Sequence, residues 1–180
     1  WLIPLALVGT VCGWLYFVSE HASEALSRAI GERPVVKAML AGLALAICGT
    51  VLPYTMFAGE TQADVLMETY LTIPAGVLIA TGLVKAMLTP ALINLGWRGG
   101  HFFPVIFSGV SLGYGLAILT GADPVFCVAV CTASTMGAVM RQPVMVVGLL
   151  LMCFPLKGIV CMIIAAVIAA GIPLPKPLRK

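Results

Sequence analysis

Seventeen charged residues divide this chain of 180 into uncharged stretches at 1–19, 38–59, 69–84, 86–97, 99–122, 124–140, 142–156 and 158–175. A soluble domain spreads roughly one charge in four residues over its surface. Here only 9% of residues are charged and 61% are hydrophobic, which excludes a soluble globular domain. Apolar runs of this length, repeated along one chain, predict an all-α polytopic membrane protein.

The stretches 1–19, 38–59 and 99–122 reach the roughly 20 residues that a helix needs to cross about 30 Å of hydrocarbon. The others are near that limit or short of it. Pro90, Pro104 and Pro155 interrupt apolar runs, which in lipid is tolerable only where protein or water satisfies the freed backbone groups. Short, tilted or re-entrant helices are therefore expected.

Local signals place the elements. A first helix is predicted over 1–30, leaving the membrane where Glu20, His21, Glu24 and Arg28 follow at helical spacing, with Glu24 and Arg28 one turn apart. Gly31 fits its stop and Pro34 the start of a second helix to about residue 52, which Pro53 ends. Residues 54–68 turn polar and read as a loop opening a short helix. Longer helices are predicted over 74–95, 102–119 and 125–140, the last started by Asp123 before Pro124. Two short helices, 144–153 and 156–170, follow Arg141-Gln142-Pro143, and a proline-rich tail leaves the bilayer.

The charge balance of +3 contains no basic block long enough for nucleic acid. Lys176, Arg179 and Lys180 instead predict a cytoplasmic C-terminus. The run 1–18 lacks a basic leader and a small-residue cleavage site, so it reads as a membrane helix and not a signal peptide. Cys12, Cys48, Cys127, Cys131, Cys153 and Cys161 all lie in apolar stretches without a CxxC pair or a nearby histidine. They predict packing rather than a metal site. Glu60, Asp64 and Glu68 read as a solvated loop face. No metal or cofactor is expected, and no nucleophile is paired with a histidine in the manner of an enzyme.

One segment carries chemistry. Gly99-Gly100-His101-Phe102-Phe103-Pro104 puts two glycines directly before a helix with a proline in its first turn. Such a start exposes backbone N–H groups at the positive end of a helix dipole, and at membrane depth an anion is their natural partner. Broken helices with N-termini aimed at a midplane site are how many transporters bind anions. The competing reading is a glycine-rich turn that only packs two helices.

Taken together, Lys85, the break at Gly96, the Gly100-to-Pro104 match to G-x-F-x-P, and Arg141-Gln142-Pro143 resemble the CLC family of chloride channels and chloride/proton antiporters. Order and spacing are similar to the C-terminal half of that fold, over nearly the whole chain. The resemblance implies one repeat of a two-repeat inverted-topology fold, with residues 1–180 as the C-terminal repeat and the N-terminal repeat absent. It implies chloride or a similar anion as transported ligand, the lipid bilayer and the N-terminal repeat as partners, and a homodimer built on the last helices. It places the anion on backbone amides of His101 and Phe102, with Phe103 adjacent and Gly99, Gly100 and Pro104 shaping the approach. The family's G-S-G-I-P and G-[KR]-E-G-P motifs are absent from these residues, and the position of a tyrosine common in the family falls near Pro175. Half a site and no complete pathway are then expected from this chain alone.

Three basic residues could add to the field of such a site. Lys85 is a lone charge within an apolar helix, where functional involvement is the default reading. Arg98 and Arg141 stand at helix breaks, where a guanidinium either binds backbone carbonyls or adds positive potential. A multi-pass protein of the cell membrane is expected. The alternative to a transporter is a membrane scaffold or assembly subunit without an anion site.

Overall fold

The computed structural model describes residues 1–56, 58–154 and 158–175, and every regular element among them is helical. Eight α-helices follow in order: α1 Leu2–Ile30, α2 Pro34–Val51, α3 Glu60–Thr69, α4 Ala75–Asn94, α5 Phe102–Thr120, α6 Pro124–Met140, α7 Pro143–Cys153 and α8 Ile159–Gly171. Short 3-10 turns at Pro53–Thr55 and Tyr70–Thr72 precede and follow α3. α1, α2, α4 and α5 are long and apolar enough to cross a membrane. The 11 residues of α7 rise only about 17 Å, well short of the hydrocarbon thickness.

The start and stop signals work as the residue types dictate. Asp123 caps α6 by accepting from the Phe126 N–H at 2.8 Å, and Pro34, Pro124 and Pro143 occupy first-turn positions where no N–H is needed. Gly31 ends α1. Arg28 and Glu24 pair at 3.9 Å on the exposed end of α1.

α6 is the axis of the bundle, with Cys127 through Ala138 buried without interruption. A helix buried on all sides needs neighbours on all sides, and α1, α5 and α8 supply them through small residues. On α5, a Cβ at Gly109 or Gly113 would fall inside 3.0 Å of backbone atoms of Thr132 and Val128 on α6. A Cβ at Gly9 or Gly13 of α1 would fall inside 3.0 Å of the carbonyl oxygens of Cys131 and Thr135 on α6, and against the side chains of Ser134 and Ala138. Both pairs follow the four-residue spacing that lets membrane helices touch backbone to backbone. Hydrogen bonds pin the contacts: Thr135 donates to Gly9 O at 3.2 Å, Ser111 of α5 to Leu78 O of α4 at 2.8 Å, and Ser19 of α1 to Met87 O of α4 at 2.6 Å. α2 stands outside this bundle, with Ala41 its one buried residue, and α7 and α8 turn Val144, Met152 and Val160 outward.

The helices predicted through Pro90 and from 102 form as expected, and the acidic and cysteine expectations are corrected. Pro90 does not break α4, which runs through it to Asn94 with the proline buried. Pro104 interrupts nothing either, because in the first turn of α5 its missing N–H had no helical partner to lose. Glu60, Asp64 and Glu68 lie on helix α3 and not on a loop, although they are exposed there. Cys12, Cys127 and Cys131 are buried packing residues, whereas Cys153 is exposed and Cys48 and Cys161 are half-buried. Pro155 and Leu156, with the predicted start of the last helix, and Lys176, Arg179 and Lys180 lie outside the described residues.

Candidate functional site

The break between α4 and α5 is built from two helix ends. α4 stops in a pair of closing hydrogen bonds, Gly96 N–H to Ile93 O at 3.0 Å and Trp97 N–H to Leu92 O at 3.0 Å. That pattern needs a left-handed residue just past the helix, and Gly96 has φ 97°. Residues 97–100 then run exposed to His101, the N-cap of α5. No side chain caps this end, and the first backbone bond accepted there is from Val105 N–H to His101 O at 3.1 Å. Because Pro104 has no N–H, the donors this helix start presents are the amides of His101, Phe102 and Phe103.

A cavity of about 270 Å³ opens beside that end. Lys85, Arg98, Gly99, Gly100 and Pro104, which the sequence singles out separately, all line it, together with Thr55 from the turn after α2. Neither Gly99 nor Gly100 has a positive φ, and a Cβ at either would meet nothing within 4 Å. Among the described residues, these two glycines therefore pack against nothing, unlike those inside α5. The cavity wall combines two cations with Gly99, Gly100 and Pro104, while His101 and Phe102 stand beside it and do not line it.

The remaining residues of the segment point elsewhere. The His101 ring stacks on Phe102 at 4.6 Å and stands 6.4 Å from the Tyr16 ring of α1, so its imidazole does not line the cavity. Phe103 faces a second, apolar cavity between α3, α5, α6 and α7, of about 380 Å³, lined also by Phe107, Tyr114 and Phe154.

Lys85 is 3% exposed. Its Nζ donates to Thr55 O at 2.6 Å and Met56 O at 3.4 Å, and lies 5.8 Å from the centre of the Phe107 ring. Carbonyls and an aromatic face thus make its burial tolerable. Arg141 is separate from the cavity. It closes α6 in a left-handed conformation, φ 55°, and its guanidinium donates to Ala170 O at 2.9 Å and Ile172 O at 3.1 Å at the end of α8. Its other terminal nitrogen is buried without a partner among the described residues.

Sequence reasoning missed Tyr16, Thr55, Met56 and Phe107. Tyr16 sits 85 residues before His101 in the chain, and no local pattern signals that approach. Phe107 was legible in principle, since it lies on the same helical stripe as Phe103 and Pro104. Among the described residues no group of three or more His, Cys, Asp or Glu side chains is placed to hold a metal.

Comparison with curated proteins and with solved structures finds no match. The family model of the voltage gated chloride channels matches residues 1–173. A match over nearly the whole length, on a helical bundle with four helices long and apolar enough to cross a membrane among the described residues, makes this chain an integral membrane protein that belongs to the voltage gated chloride channel family.

Proposed function

We propose that the chain is the C-terminal repeat of a CLC-type protein that moves chloride or a similar anion by channel conduction or anion/proton antiport. The anion is held by the amides of His101 and Phe102 at the start of α5, next to the cavity that Lys85 and Arg98 make positive. An opposing N-terminal repeat supplies the other half of the site, and the outward apolar faces of α7 and α8 serve a homodimer in the cell membrane. Family membership supports a channel or transporter rather than an enzyme.

One observation carries the reading. Gly99 and Gly100 line the cavity, yet neither a close contact nor a left-handed backbone calls for glycine there. A turn that merely packs two helices would use its glycines for packing, as α5 does at Gly109. Glycines that leave room beside uncapped amides suit a ligand that must come within hydrogen-bonding distance of the backbone.

The test uses the full-length protein in liposomes, with anion flux measured alongside chloride affinity, and bromide located by its anomalous scattering in crystals. Bromide beside the His101 and Phe102 amides, with flux lost when residues 100–104 are disrupted, is the expected result. Unchanged affinity and flux after that disruption overturn the placement of the site, and a parent protein without chloride binding or flux leaves the scaffold reading.

A further inference from the structure

We infer that Lys85 is a specificity-determining residue of this cavity, which keeps it selective for anions by covering the carbonyl oxygens of Thr55 and Met56. The inference rests on the anion reading above and adds how the selectivity is built.

Two opposite backbone ends meet at the cavity. The start of α5 brings N–H groups, which attract an anion. The chain leaving α2 brings carbonyl oxygens: Thr55, at the end of the 3-10 turn Pro53–Thr55, lines the cavity, and Met56 follows directly behind it. Uncovered carbonyls lining a pore are ligands for cations and repel anions. With those oxygens bare, the same space would present both signs.

Lys85 resolves that conflict. It reaches from the middle of α4 to within 2.6 Å of Thr55 O and 3.4 Å of Met56 O while lining the cavity itself. The Phe107 ring, from the second turn of α5, stands on another side of the ammonium and favours the cation where it sits. The ammonium therefore does two things from one position. It occupies the lone pairs that would bind a cation, and it replaces their negative potential with a positive one. A lysine that only tethered the turn to α4 would need the hydrogen bonds but not the charge, and that difference can be measured.

Three variants of the full-length protein separate the roles. Lys85→Arg keeps charge and donors, Lys85→Gln keeps donors without charge, and Lys85→Met keeps neither at similar volume. Chloride affinity is read by calorimetry, and the ratio of chloride to potassium flux in liposomes. The expected result is chloride binding about tenfold weaker in Lys85→Gln and Lys85→Met, as for loss of a charge-assisted contact, with potassium flux appearing in both. Lys85→Arg stays within about threefold of the parent on the same scale.

Full affinity and selectivity in Lys85→Gln overturn the inference, because the tether alone then suffices. Lys85→Gln also carries the test if Lys85→Met does not fold. Gly100→Val keeps the two levels apart. A weakened Gly100→Val with an unaffected Lys85→Gln removes only the role of Lys85, whereas unchanged chloride affinity in Gly100→Val removes the anion site.

Discussion

Two glycine pairs stand ten and thirteen residues apart on either side of the start of α5. Gly109 and Gly113 are buried, and their missing side chains let α5 lie against the backbone of α6. Gly99 and Gly100 are exposed and touch nothing on this scale. In sequence both pairs are glycines in an apolar run. In three dimensions the first pair is consumed by packing, and the second faces open space. Glycine content thus means fold in one place and, on the function proposed above, ligand access in the other.

The comparison breaks most decisively at Gly109. Gly109→Val forces its branched side chain into the Thr132 backbone, which cannot yield as a flexible side-chain tip would. The expected loss of stability is about 3 kcal/mol or more, read as a lower unfolding midpoint of the full-length protein in detergent. A midpoint within a degree or two of the parent would mean that α5 and α6 are not packed through this pair.

Arg141 sharpens the contrast from the side of the helix breaks, since Arg98 and Arg141 look alike in sequence. Arg141→Ala loses both bonds to the α8 carbonyls and keeps a Cβ at φ 55°. About 2 kcal/mol of stability is expected to go, at about 1 kcal/mol for each hydrogen bond. Arg141→Gly should recover about 1 kcal/mol of that loss, because glycine adopts the left-handed backbone freely. Chloride affinity should be unchanged in both, and a drop in affinity at parental stability would return Arg141 to the site.

Much of the fold was legible because membrane helices announce themselves by apolar length and by punctuation. Pro34, Pro53, Gly31 and Asp123-Pro124 marked their boundaries within a residue or two, since each acts on the adjacent backbone alone. Pro90 did not stop the helix predicted over 74–95: whether an internal proline breaks a helix depends on its neighbours, and α4 is held by α1 and α5 around it. The site was legible in part. Gly100 to Pro104 signalled a helix start, and Lys85 signalled itself by being the one charge in α4. That Lys85 reaches the Thr55 and Met56 carbonyls, and that Arg141 reaches α8 and not the cavity, depends on contacts about 30 residues apart in the chain, which no local pattern encodes.

Gly100→Val tests the open pair directly. Its side chain would enter free space and no strained backbone is involved, so stability should stay within about 0.5 kcal/mol of the parent, as for an exposed substitution. Chloride binding should weaken about tenfold, because the added methyl groups occupy the approach to the His101 and Phe102 amides. Equal affinity at equal stability would show that this space is not used by the anion.

Arg98→Gln should have the smallest effect, and its form is more informative than its size. Arg98 lines the same cavity as Gly100 but is exposed, so its field reaches the site through water and is screened by salt. Chloride affinity should fall about two- to threefold at low ionic strength, and the difference from the parent should vanish near 1 M of a non-binding salt, where the screening length is about 3 Å. The Lys85→Gln effect should persist at that ionic strength, because Lys85 is buried against Thr55. A salt-independent loss in Arg98→Gln would place its guanidinium in direct contact with the anion. The open glycine break would then carry a charged ligand as well as backbone donors.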